Sequence, residues 1–97
     1  MNLLITATAG TMESNDIMVT LEPAQSGGIQ ISLTSIVLQQ FGRQIEAVIR
    51  DTLTHYGIEN AEVTAVDKGA LDCTVRARVT AAIFRSAQSD AYEWEVK

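Results

Sequence analysis

The side chains able to do chemistry in this sequence are few and far apart. Ser14 lies in Ala9-Gly10-Thr11-Met12-Glu13-Ser14-Asn15-Asp16, which reads as one strand arriving, a tight turn, and a second strand leaving. Asn tolerates positive φ, and Ser and Asp form turns through local side-chain hydrogen bonds, so Ser14 and Asn15 are expected at the tip. An exposed hydroxyl on a ribbon suits a group that another enzyme modifies; an ordinary turn serine has the same local sequence. No Gly-x-Ser-x-Gly elbow surrounds Ser14, which speaks against a serine hydrolase. His55 is the only histidine and follows Asp51 by four residues. A metal or catalytic site needs partners that no second His or Cys supplies, so His55 reads as a surface histidine favoured by a helix C-terminus. Cys73 alternates with Val75 and Ala77 and reads as a buried small hydrophobe. A nucleophilic cysteine would need a base nearby, and the sequence places none there. Arg76 and Arg78 share a face, either paired with carboxylates such as Glu62 or free to bind a phosphate-rich ligand. Gly27-Gly28 lacks the following Gly-Lys-Ser/Thr of a phosphate-cradling loop and reads as a turn.

The elements that must position these residues follow from periodicity. Residues 4–12 and 16–22 can be laid as a hairpin with Ser14-Asn15 as its loop. Glu13 then faces Asp16, Met12 pairs with Ile17, Gly10 with Val19 and Thr8 with Leu21, which makes one face the more apolar. The Glu13–Asp16 like-charge pair is mildly unfavourable, by roughly 0.2–1 kcal/mol. Pro23 ends the second strand, because it cannot donate to a ladder. Ile29, Ile31 and Leu33 alternate with Gln30, Ser32 and Thr34 as a third strand.

Ser35 is the expected N-cap of a long helix over 36–56, with Val37, Phe41, Ile45, Val48, Ile49, Leu53 and Tyr56 on its apolar stripe. Glu46 and Arg50 form an oriented i,i+4 pair on the wet side, and Gly57 is the stop signal. Residues 61–67 and 73–80 read as a second hairpin, pairing Ala61 with Val79, Val63 with Ala77 and Ala65 with Val75, with Glu62 opposite Arg78 and Thr64 opposite Arg76. Residues 81–86 are a short helix or a strand extension. Residues 88–97 are a polar tail whose Tyr92 and Trp94 suit an interface anchor. The expectation is one α+β domain over 1–97, an antiparallel sheet of about five strands (two hairpins plus one strand) packed against one long helix.

Composition sets outer limits. Hydrophobic residues make up 46% with a single Pro, which excludes a disordered tail. Twelve acidic against seven basic side chains give a net charge of -5, which argues against nucleic acid and for docking on a basic surface. The lone cysteine makes no internal disulfide, so a reducing cytoplasm is expected. No run approaches the roughly 20 apolar residues that cross a membrane.

Several stretches together resemble the gamma chain of citrate lyase, its acyl carrier protein. They are the 9–16 segment, Gln40-Phe41-Gly42, Asp67-Lys68-Gly69-Ala70-Leu71-Asp72-Cys73, Arg76-Ala77-Arg78 and Trp94-Glu95. The resemblance runs through almost the whole chain, and it implies that Ser14 carries 2'-(5''-phosphoribosyl)-3'-dephospho-CoA through a phosphodiester. It further implies that the cofactor thiol holds the acyl group. The alpha subunit would exchange acetyl for citrate, and the beta subunit would cleave the citryl group to oxaloacetate, while a transferase attaches the prosthetic group. On this reading the chain is a carrier and not an enzyme by itself, with no catalytic residue and no metal. One departure is Asn15 where the family usually has glycine; Asn is the next best residue for positive φ, so the turn is expected to survive. A malonate decarboxylase carrier would use a similar arm on a similar serine, and an adaptor domain without a cofactor is the third reading.

Overall fold

The computed structural model describes residues 1–88, in the order β1 (Ala7–Gly10), β2 (Ile17–Pro23), β3 (Ile29–Ser35), α1 (Leu38–His55), β4 (Ala61–Asp67) and α2 (Asp72–Ala87). The strands form one four-stranded sheet in the order β1-β2-β4-β3. β1 and β4 run antiparallel to β2, whereas β3 runs parallel to β4. The class is α+β, but the sheet is mixed and the described helices are two. The expected five antiparallel strands and single helix are corrected on both counts.

The parallel pair has a simple cause. Strands joined in parallel need a long crossover, and α1 is that crossover between β3 and β4. The larger correction concerns residues 73–80, which are the first half of α2 and not a strand. The residues α2 buries include Val75, Val79, Ala82, Ile83 and Ser86, a three-to-four spacing that appears only when the window extends past residue 80. No pairing of Glu62 with Arg78 or Thr64 with Arg76 forms; β4 lies between β2 and β3 instead.

The sheet and both helices enclose one core. Ala9, Val19, Leu21, Val63 and Ala65 line the sheet's inner face, and Ile45, Ile49, Leu53, Val75, Val79 and Ile83 cover it from the helices. The outer face carries Gln30, Ser32, Thr34, Glu62 and Thr64, all exposed, as the alternation predicts.

The first hairpin forms with its register moved by one residue. Ala7 pairs with Leu21, Ala9 with Val19 and Gly10 with Met18, so the two alanines face the core while Thr8 and Thr20 meet on the outer face at 3.1 Å. A one-residue slip exchanges faces. The segment 4–12 supplies only Ala7–Gly10 to the strand, and six residues from Thr11 to Asp16 make the connection.

The long helix stands, shortened at both ends, with Ile45, Val48, Ile49 and Leu53 buried and Phe41 exposed rather than inward. Its C-terminus is closed as Gly57 foretells. Ile58 N–H reaches Leu53 O at 3.0 Å and Gly57 N–H reaches Thr54 O at 3.0 Å, with Gly57 at φ 75°. Ser35 is not the N-cap. It ends β3, accepts from Val37 N–H at 3.1 Å and donates to Asp67 Oδ2 at 2.8 Å. Glu46 and Arg50 pair at 3.4 Å. No helix among the described residues is long and apolar enough to cross a membrane. Tyr92 and Trp94 lie outside the described residues.

Candidate functional site

Ser14 sits at the exposed tip of the β1–β2 connection. Asp16 N–H donates to Glu13 O at 3.2 Å, closing a four-residue turn with Ser14 and Asn15 in the middle. Asn15 has φ 66°, the left-handed conformation that the third position of a type II turn requires. The departure from glycine at this position therefore leaves the turn intact.

The residues on either side of Ser14 are held from behind. Asn15 N–H donates to Lys68 O at 2.7 Å, and Lys68 N–H donates to Asp16 O at 2.8 Å, which ties the turn to the β4–α2 connection. That connection is itself organised by Asp67. Its buried carboxylate accepts from Ser35 Oγ, from Gly69 N–H at 3.1 Å and from Ala70 N–H at 3.0 Å.

Asp16 is the hub. Its Oδ1 accepts from Arg78 Nε at 3.0 Å and from Ile17 N–H at 2.7 Å; its Oδ2 accepts from Arg78 Nη2 at 2.8 Å and from Thr11 Oγ1 at 2.7 Å. Thr11 Oγ1 in turn accepts from Glu13 N–H at 3.2 Å. The Arg78 hydrogen bonds hold the Asp16 carboxyl far below the usual carboxylate range; desolvation opposes them, and the bonds from Thr11 and Ile17 add to them. Instead of repelling Glu13 across the tip, Asp16 turns inward to an arginine from α2. Arg78 thus neither faces Glu62 nor stands ready as a phosphate ligand.

Gly10 makes that approach possible. A Cβ on Gly10 would sit 1.8 Å from Ile17 O and 3.3 Å from Arg78 Cδ, and φ there is 92°. Ser14 Oγ itself makes no hydrogen bond among the described residues, so its hydroxyl is left to solvent while Glu13, Asn15 and Asp16 are held.

The other candidates lie elsewhere. Cys73 is exposed in the first turn of α2 and not buried. Alternation was the wrong period to read there. His55 is exposed in the last turn of α1, against Tyr56 at 4.9 Å between ring centres. Arg76 lines a groove between the helices with Asp51, His55 and Thr80. No group of three or more metal-ligating side chains gathers among the described residues. Met12, Ile36, Phe41 and Leu71 are large, apolar and exposed; Ile36 and Asn15 both adjoin Gly69, so part of this apolar surface borders the serine turn.

Residues 5–86 match the acyl carrier family described as the malonate decarboxylase delta subunit (MdcD). The citrate lyase acyl carrier protein of Streptococcus mutans is 52% identical over 98% of this chain and 93% of its own length. That of Klebsiella pneumoniae is 51% identical over 97% of each chain, and that of Lacticaseibacillus casei 55% identical over 92% and 87%. The chain belongs to this acyl carrier protein family. A chain in the crystal structure of a Pseudomonas malonate decarboxylase hetero-tetramer in complex with malonate shares the fold, with a TM-score of 0.70 over 84% of this chain and 82% of that one, at 23% identity.

Sequence reasoning singled out Ser14 but missed what holds it. Asp16 and Arg78 are 62 positions apart; Thr11, Asp67, Lys68 and Arg78 lie in the family-like stretches, but nothing in those stretches said that they meet. The one local hint was an Asp beside the tip that ought to repel Glu13 and therefore needed a cation from elsewhere.

Proposed function

We propose that this chain is the acyl carrier subunit of a citrate lyase, without catalytic activity of its own, and that Ser14 Oγ is where its prosthetic group is attached. The observation that carries the reading is a solvent-facing hydroxyl, free of hydrogen bonds among the described residues, on a turn whose residues Glu13, Asn15 and Asp16 are held by hydrogen bonds. The group proposed is 2'-(5''-phosphoribosyl)-3'-dephospho-CoA, joined through a phosphodiester. When bound, it supplies a thiol that holds acyl groups as thioesters.

The chain's own residues attach, orient and solvate. A phosphodiester at Ser14 stays in water, whereas a buried one would be desolvated at a cost of several kcal/mol. Arg78 offsets the neighbouring Asp16 charge, so a further negative charge at the tip meets one less uncompensated carboxylate. Among the described residues no base is hydrogen-bonded to Ser14 Oγ, which fits a hydroxyl activated by another protein. The partners of this reading are the alpha and beta subunits and the transferase that attaches the group, in the cytoplasm. Relatives at half identity named for citrate lyase support it over a malonate decarboxylase carrier. The exposed Met12, Ile36, Phe41 and Leu71 give such subunits an apolar surface to meet.

The test compares Ser14→Ala and Cys73→Ser with wild type, by intact mass after coexpression with the transferase and by citrate cleavage in the reconstituted complex. Ser14→Ala removes one exposed oxygen, so stability changes by less than about 0.5 kcal/mol. It gains no mass and supports no cleavage, while Cys73→Ser behaves as wild type. A Ser14→Ala chain that still gains the cofactor mass overturns the assignment.

A further inference from the structure

We infer that Asp16, gripped by Arg78 from α2, is the positioning residue that presents Ser14 to the enzyme modifying it. This rests on Ser14 being the attachment point. The turn has two kinds of support. Backbone bonds join it to Lys68, and one side-chain network joins it to α2.

The network is saturated. A carboxylate offers about four lone-pair sites, and all four on Asp16 are taken, two by the arginine fork, one by the Thr11 hydroxyl and one by Ile17 N–H. Each of these partners presents a donor to the carboxylate. An Asn in place of Asp16 would turn its NH2 toward donors whichever way it faced. Lysine in place of Arg78 would keep the charge but lose the planar two-point grip. Through Thr11 the network reaches Glu13 N–H, so it fixes the residue before Ser14 as well as Asp16 after it.

The network is not what holds the domain together. Val75, Val79, Ala82 and Ile83 keep α2 on the core, and the β2–β4 and β3–β4 ladders do not pass through Arg78. Breaking the grip therefore loosens residues 11–13 and the Asp16 side chain, while the backbone bonds to Lys68 and the fold persist. A tip that samples many conformations offers its hydroxyl in the productive one only part of the time, and apparent reactivity falls by that fraction.

The experiment measures kcat/KM for attachment by the transferase with its nucleotide-linked donor, followed by intact mass. The chains are wild type, Arg78→Ala, Arg78→Lys, Asp16→Asn and Arg76→Ala, each with its melting temperature and amide exchange recorded. Arg76 lies on the same helix, so Arg76→Ala makes the same charge change away from the turn. Arg78→Ala and Asp16→Asn are expected to lose at least about tenfold, Arg78→Lys an intermediate amount, and Arg76→Ala less than about twofold, with exchange at Glu13 accelerated only in the variants at residues 16 and 78. If Arg78→Ala proves unfolded, Asp16→Asn and Arg78→Lys decide. Loading of the folded variants at the wild-type rate, or an equal loss in Arg76→Ala, overturns the inference. Mass gain by a Ser14→Ala control would instead show that the attachment residue is wrong, so the two failures are distinguishable.

Discussion

Gly10→Ala is the sharpest test of how β1 delivers the chain into the serine turn. Two penalties combine at Gly10. Its φ of 92° lies where a side chain is strained, and its Cβ would fall 1.8 Å from Ile17 O and 2.9 Å from Ile17 C, both backbone atoms that cannot swing aside. The left-handed conformation alone costs roughly 1–2 kcal/mol for alanine, offset by about 0.4–1 kcal/mol because alanine stiffens the unfolded chain. The clash adds to this. Relieving it means moving the Ile17 carbonyl by more than an ångström, which disrupts the pairing of Gly10 with Met18 and crowds the Arg78 stem. Losing one ladder bond and weakening one charged pair each costs on the order of 1 kcal/mol.

The expected total for Gly10→Ala is about 2–4 kcal/mol, a large share of the roughly 5–15 kcal/mol that holds a domain folded. For a chain of this size each kcal/mol moves the melting temperature by about 4–8 °C, so the loss is about 8–32 °C. Gly28 is the internal control. Its φ is 75°, yet nothing lies within 4 Å of a Cβ built there. Gly28→Ala should carry the conformational cost alone, about 0.5–1.5 kcal/mol. Urea and thermal unfolding of both variants isolate the clash as the difference between them. Equal losses would refute the argument that Ile17 O and Arg78 require the missing side chain.

Two further outcomes follow from the carboxylates around the turn. Asp16 is held ionised by Arg78, so its folded carboxyl titrates below its unfolded one. Its contribution is full above about pH 4 and is lost as the pH falls below that; acid titration of stability should flatten in Asp16→Asn relative to wild type over that range. Asp67→Ala leaves Gly69 N–H and Ala70 N–H without their acceptor in a part-buried loop, and is expected to cost about 2–4 kcal/mol and to speed exchange at Asn15 through the loosened Lys68 contact; an unchanged melting temperature would mean that Asp67 does not organise the loop.

The parts of the fold legible in the sequence were those whose signals are local. Ile29, Ile31 and Leu33 alternate cleanly, the α1 stripe runs through five turns, and Gly57 closes its helix by the bonds its position implies. The failures also have local causes. Cys73, Val75, Ala77 and Val79 alternate with polar residues over eight positions, a window too short to separate period two from the Val75–Val79–Ala82–Ile83–Ser86 helical stripe. The small inward residues Ala7 and Ala9 contrast too little with Thr8 and Gly10 to fix the register, which depends instead on Gly10 meeting Ile17 O. The exposed turn at Ser14 was legible from turn chemistry. Its support was not, because an ion pair between residues 16 and 78 exists only after the helix containing Arg78 has crossed the sheet.

With attachment at Ser14 as proposed, that arrangement gives a carrier subunit its part in a reaction. The titratable groups nearest the tip are either already engaged, as Asp16 is by Arg78 and Thr11, or exposed, as Glu13 is. Among the described residues, no base is hydrogen-bonded to Ser14 Oγ. What the fold does supply is a fixed point. The core anchors α2, α2 anchors Asp16 through a two-point arginine grip, and the β4–α2 connection holds Asn15 from the other side. A tether is useful only if its base is held where partner sites can find it, since effective concentration depends on where the tether starts as well as on its length. The close approach at Gly10 and the buried Asp67 carboxyl both serve that end, and both lie behind the turn, where they leave the hydroxyl unobstructed.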